Sequence, residues 1–103
     1  MSDRVVLVTG STSGIGEATA RRFARDGANV VFNSRASSDV GEALARATPG
    51  SHYVRADIAL ADDCYALVAE VLDRFGRLDV LVNNAGTTRV IDHRDLASAS
   101  LDV

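Results

Sequence analysis

Val5-Val6-Leu7-Val8-Thr9-Gly10-Ser11-Thr12-Ser13-Gly14-Ile15-Gly16 is the stretch that decides the fold. An unbroken apolar run enters a turn of glycine and hydroxyl residues, and a helical pattern begins at once. The run predicts a strand buried on both faces, as in a parallel sheet. Gly10 stands where the backbone must turn sharply, which a residue without Cβ does with least strain. Gly14 and Gly16 predict close approach of backbone to a ligand and to the sheet. A helix starting near Gly14 directs its free N–H groups and the positive end of its dipole at the loop. The natural occupant of such a loop is a pyrophosphate.

Downstream, strand and helix patterns alternate. The first helix is expected from about Gly14 to Asp26, with Ile15, Thr19 and Phe23 as its apolar stripe and Ala20 and Ala24 beside it. Arg21, Arg22 and Arg25 fall mostly outside that stripe, and Gly27 follows as a helix stop. Val30-Val31-Phe32 reads as a second strand, ending in Asn33-Ser34-Arg35. A weaker helix is expected from about Asp39 to Ala47, with Val40, Ala43, Leu44 and Ala47 on one face, and Pro49-Gly50 breaks it. His52-Tyr53-Val54-Arg55-Ala56 is a third strand, polar enough to lie near an edge. Asp57 ends it and is placed to cap the following turn. The best helix runs from about Ala61 to Phe75, with Cys64, Leu67, Val68, Val71, Leu72 and Phe75 on one face, and Gly76 closes it. Leu78 to Val82 is a fourth strand, passing into Asn83-Asn84-Ala85-Gly86. Thr87 to Val103 reads as a loop leading into an incomplete element, without the polar finish of a domain boundary. The alternation implies a parallel sheet with right-handed crossovers.

Composition narrows the function classes. A chain of 103 residues is enough for one small domain. Its net charge of −3 and pI near 5.2 argue against nucleic acid as the main partner. No apolar run approaches the roughly 20 residues of a membrane span. The short segment before the first strand leaves no room for a secretory signal, and a lone cysteine forms no intrachain disulfide. These features make the cytoplasm the expected location. All eleven basic residues are arginine. A mechanism that needs a lysine therefore cannot be completed by these residues alone. His52 and His93 show no metal-ligand spacing with each other or with Cys64, which is expected to be a core thiol.

Thr9-Gly10-x-x-x-Gly14-Ile15-Gly16 departs from the usual Gly-x-Gly-x-x-Gly dinucleotide fingerprint. It resembles the loop of the classical short-chain dehydrogenase/reductase family, and Asn83-Asn84-Ala85-Gly86 is similar to that family's second motif. The resemblance covers residues 4 to about 86 in the right order. It implies an α/β fold, a partial Rossmann-like doubly wound parallel sheet of strand order 3-2-1-4, continuing toward a catalytic half beyond this chain. On that resemblance, residues 1–103 are an NAD(P)-binding portion, with 87–103 the start of the next element. Gly10, Ser11, Thr12, Ser13, Gly14, Ile15 and Gly16 would hold the diphosphate. Asn84, Ala85 and Gly86 would sit beside the ribose and nicotinamide, with Asn83 supporting the sheet. Asp57-Ile58 resembles the pair that contacts adenine, Asp57 accepting from the exocyclic amine.

Cofactor choice follows from the end of the second strand. NAD-binding members generally place an acid there for the ribose 2′-OH. This chain has Asn33-Ser34-Arg35 and no acid until Asp39. A guanidinium binds a 2′-phosphate with charge-assisted hydrogen bonds where an acid repels it. NADP(H) is therefore the expected cofactor, with Arg35 and Ser34 as its readers. The alternative for Arg35 is a solvated loop residue.

The family's chemistry uses a tyrosine followed four residues later by a lysine, whose charge lowers the tyrosine pKa. Tyr53 is followed at that spacing by Asp57 and Tyr65 by Ala69, so no catalytic residue carries over. A complete member would transfer hydride between nicotinamide and a small carbonyl or secondary alcohol, as a homo-oligomer. Two other readings stay open. One is a nucleotide-binding module without catalysis. The other is a self-associating fragment whose fourth strand leaves an unpaired edge.

Overall fold

The computed structural model describes residues 4–84 and 90–92. Its elements in chain order are β1 (Val5–Val8), α1 (Gly14–Arg25), β2 (Asn29–Ser34), α2 (Ser38–Ala47), β3 (His52–Arg55), α3 (Ala61–Phe75), β4 (Val80–Val82) and β5 (Val90–Asp92). The sheet order is β3-β2-β1-β4-β5. β1 pairs in parallel with β2 and with β4, and β2 pairs in parallel with β3. The first four strands thus have the expected order 3-2-1-4. β5 is an addition: it runs antiparallel to β4, Leu81 opposite Ile91, where a loop was expected. Three residues are too short a run for alternation to mark them as a strand.

β1 is central, and all four of its side chains are buried. Alternate residues feed opposite faces, as the two-residue period of a strand requires. Val5 and Leu7 join Val31, Val54, Leu67, Val71 and Leu78 on the α3 face. Val6 and Val8 join Ala20, Val30, Phe32, Leu44, Tyr53 and Val82 on the face covered by α1 and α2. A strand with no exposed side has no use for polar alternation, hence Val-Val-Leu-Val.

α1 rests on the expected face except at Ile15, whereas α2 turns most of its expected stripe outward. In α1 the buried residues are Gly16 and Ala20, with Phe23 and Ala24 packed beside them, whereas Ile15 is 74% exposed. The first turn lies too close to the loop for any side chain at Gly16. A Cβ there would fall on the Gly10 carbonyl and the Asn84 amide. In α2 the inward residues are Gly41 and Leu44, while Val40, Ala43 and Ala47 are exposed. The Tyr53 ring occupies the space that a Cβ on Gly41 would need. α3 has the expected bounds, with Leu67 and Val71 buried and Leu72 exposed. It ends at Gly76 in the left-handed region (φ 78°), whose N–H bonds the Leu72 carbonyl.

Candidate functional site

The carboxyl ends of β1, β2 and β3 converge on one cleft of about 350 Å³. Its lining includes Gly10, Thr12, Ser13, Ser34, Arg35, Asp57 and Ile58, so seven residues expected at a ligand from sequence stand around one space. Asn33, Ala56 and Ala59 complete it.

The loop after β1 is held rigid from beneath. Gly10 (φ 60°) and Gly14 (φ 59°) both sit in the left-handed region that disfavours a side chain. Ser11 is fully buried: its N–H donates to the Asn33 carbonyl at 2.8 Å, and its hydroxyl donates to the Val8 carbonyl at 2.7 Å while accepting from the Asn33 N–H at 2.9 Å. The Ser11 side chain is thus committed to the loop, not to the cleft.

Asn33 is the organising residue that sequence reasoning passed over. Its buried amide accepts from the Gly10 N–H at 3.3 Å and donates to the carbonyls of Val54 (3.1 Å) and Ala56 (3.3 Å). One side chain thereby ties the ends of three strands. Its sequence signal was a polar residue ending an otherwise apolar strand.

A second clasp joins β1 to the Asn83-Asn84 motif. The Thr9 hydroxyl accepts from the Asn84 N–H at 3.0 Å and lies 3.2 Å from Asn83 Oδ1. The Asn84 side-chain amide donates to the Gly10 carbonyl at 3.1 Å. Asn84 therefore shapes the glycine loop directly. Ala85, Gly86 and His93 lie outside the described residues.

With the loop fixed, its amides are available. Among the described residues, none accepts from the N–H groups of Thr12, Ser13, Gly14, Ile15 or Gly16. The first turn of any helix has N–H groups without intrahelical partners, and they favour an anion. Ser13 precedes α1 in extended conformation and forms no side-chain cap that would occupy them.

The other end of the cleft is built differently. Asp57 Oδ1 accepts from the Ala59 N–H at 3.0 Å, closing a short turn. No described residue occupies Oδ2, so the turn and a ligand amine can be served together. Ile58 is half-buried against the core and gives the turn an apolar side. The Arg35 side chain is exposed and meets no hydrogen-bond or ion-pair partner among the described residues. Ser34 is buried, its hydroxyl 2.6 Å from the Tyr53 hydroxyl. The cleft thus offers amides for a phosphate, a free guanidinium for a second anion, and a carboxylate beside apolar surface for an amine-bearing ring.

Cys64 and His52 stand apart from this chemistry. The half-buried Cys64 thiol donates to the Ile58 carbonyl at 3.1 Å. Burial, with the charges of Asp63 and Asp57, pushes its pKa up, the opposite of a reactive thiolate. His52 opens β3 and meets Glu70 at 2.9 Å. Among the described residues no group of His, Cys, Asp and Glu could hold a metal, and no helix is long and apolar enough to cross a membrane.

Comparison with known proteins agrees with this fold. The model of the short chain dehydrogenase family matches residues 4–102. The chain belongs to that family. It is 52% identical, over 96% of its length and 40% of the relative's, to a Streptomyces violaceoruber protein named as ketoacyl reductase 2 of the granaticin polyketide synthase. It is 42% identical, over 81% of its length and 35% of the relative's, to a 3-oxoacyl-(acyl-carrier-protein) reductase of Staphylococcus aureus. Among solved structures, it resembles a 3-ketoacyl-(acyl-carrier-protein) reductase of Brucella melitensis complexed with NADH, at TM-score 0.72 and 40% identity, covering 77% of this chain and 32% of that one. The chain therefore spans less than half the length of each of these relatives.

Proposed function

We propose that these residues form the nucleotide-holding part of an NADP(H)-dependent oxidoreductase acting on a small carbonyl or secondary alcohol, as a homo-oligomer when complete. The observation that carries the reading is the cleft with the adjoining start of α1: amides from Thr12 to Gly16 that no described residue accepts from, and Arg35 with Asp57 in the cleft lining. Thr12, Ser13 and the first turn of α1 bind the diphosphate. Asp57 Oδ2 accepts from the adenine amine, with Ile58 against the ring. Arg35 pairs with the 2′-phosphate, and Ser34 borders it. Asn84, held on Gly10, stands toward the nicotinamide ribose.

When bound, the dinucleotide supplies or accepts the hydride. This chain's residues bind it, orient it and exclude water from the diphosphate. The sequence holds no lysine, so a lysine-assisted proton transfer comes from residues outside these 103.

NAD(H) is the second reading, favoured by the NADH in the Brucella reductase complex. Arg35 separates the two. Calorimetric titration should give tighter binding of NADPH than NADH. Arg35→Ala should weaken NADPH by roughly 10- to 100-fold, as loss of a charge-assisted hydrogen bond predicts, and leave NADH nearly unchanged. Equal affinities in the parent chain would give the cleft to NAD(H). Binding of neither would remove the nucleotide reading from this chain.

A further inference from the structure

Arg35 and Asp57 both line the cleft and form two of its walls, one on the loop after β2 and one on the turn after β3. Neither wall is a regular element, so something must hold them in register. We propose that Arg55 and Asp63, which lie outside the cleft lining, are positioning residues that brace these two walls and so set how the nucleotide is read. The inference rests on the roles given to Arg35 and Asp57 above.

The brace is continuous. Arg55, the last residue of β3, donates through Nε to the Arg35 carbonyl at 2.8 Å. Its Nη1 lies 3.5 Å from Asp63 Oδ2, in the first turn of α3. The same Asp63 oxygen accepts from the Asp57 N–H at 2.8 Å. Asp57 then accepts from the Ala59 N–H, which leaves its second oxygen for a ligand. One guanidinium and one carboxylate thus connect the main chain beneath the Arg35 side chain to the main chain beneath the Asp57 carboxylate.

The Arg55–Asp63 ion pair itself adds little to fold stability. The Arg55–Asp63 pair is long, and about half of the Arg55 side chain is exposed. Pairs of that kind contribute little to stability. Holding two ligand-reading loops in their bound geometry instead lowers the ordering cost of binding. The two members should act on different parts of the ligand. Arg55 fixes the backbone that carries the 2′-phosphate reader, which only NADP(H) uses. Asp63 fixes the adenine turn, which both dinucleotides use.

The test compares Arg55→Ala, Arg55→Lys and Asp63→Ala with the parent chain. NADPH and NADH dissociation constants are measured by calorimetry, and amide hydrogen exchange is followed without nucleotide. Arg55→Ala should weaken NADPH about tenfold, the scale of one charge-assisted hydrogen bond, with NADH changed less than about twofold. Arg55→Lys should recover part of the loss, because an ammonium can still donate to the Arg35 carbonyl. Asp63→Ala should weaken both nucleotides by a similar factor and speed exchange of the Asp57 amide. Equal losses of both nucleotides in Arg55→Ala, with a lowered melting temperature, would mean ordinary packing and overturn the proposal. If the parent chain binds the two nucleotides equally or not at all, the Arg35 reading fails and exchange alone decides the brace. Unchanged protection at Asp57 in Asp63→Ala, and at residues 35–37 in Arg55→Ala, would then sink it.

Discussion

The β1–β3 side of the molecule and its β4 side are held by different forces. On the first, apolar burial dominates: β1 is covered on both faces, and β2 is buried from Val30 to Ser34. On the second, β4 has only Val82 buried, with Val80 and Leu81 partly exposed. Hydrogen bonds from the strand's flanks do the joining instead. At one end Asp79 Oδ2 accepts from the Val5 N–H at 2.8 Å, and the Asp79 N–H donates to the Val5 carbonyl at 2.9 Å. At the other, Thr9 and Gly10 receive Asn84. Burial is non-directional and tolerates small shifts, whereas these bonds fix β4 in register. On the proposed reading, the adenosine end of the nucleotide lies on the buried side. On the same reading, the nicotinamide end depends on the hydrogen-bonded side.

The largest disturbance should come from the seam between the two sides. Gly16→Val places a branched side chain against Gly10 and Asn84, which are backbone and a committed amide. Overpacking of this kind costs about 3 kcal/mol. Urea melting should show that loss, and calorimetry should show nucleotide binding gone at denaturant-free conditions. A Gly16→Val chain with near-parent stability would mean that the loop and Asn84 are not in mutual contact.

Within the buried side, two adjacent residues of α3 separate burial from mere apolar character. Val71 is fully buried and Leu72 is 45% exposed. Val71→Ala should cost about 2 kcal/mol through lost contacts and a cavity, and Leu72→Ala about 0.5 kcal/mol or less. Matching losses from both would show that the outer face of α3 is covered in solution and would redraw the comparison.

Sequence patterns read the buried side well where large side chains carry the period. β1, the loop and α3 needed only apolar runs, glycines and a helix stop. Ile15 in α1 and the Val40 stripe in α2 were misjudged because periodicity counts apolar bulk, and both helices approach the sheet through glycine. Gly16 and Gly41 contribute no bulk, so the eye settles on Ile15 and Val40 instead. The site shows the same division. The residues around the cleft could be named from motifs, but not what each hydroxyl and amide does. Ser11 and Ser34 looked like ligand contacts, and their hydroxyls are engaged with Asn33 and Tyr53, partners about twenty residues away. Asn33 binds three strands through contacts that no local pattern encodes. β5 escaped notice because its pairing with β4 is a tertiary fact about a three-residue run.

The smallest predicted effect tests the hydrogen-bonded side on its own terms. Asp79 is bound by Arg77 at 2.8 and 2.9 Å and also accepts from the Val5 N–H. The charge and the acceptor can be removed in turn. Asp79→Asn removes the charge but keeps a carbonyl oxygen for Val5. Arg77 is half-exposed while Asp79 is largely covered, so loss of the charge pair should cost about 1 kcal/mol and leave little further dependence on salt. Asp79→Ala removes the acceptor as well, leaving a main-chain N–H at the start of β1 without it, and should cost about 1.5 kcal/mol. The difference between the two in urea melts includes the bond to Val5, and faster exchange of the Val5 amide only in Asp79→Ala identifies that part. Equal costs would mean that the charge pair with Arg77, not the clasp on β1, holds the start of β4, and the two sides of the sheet would then differ in electrostatics alone.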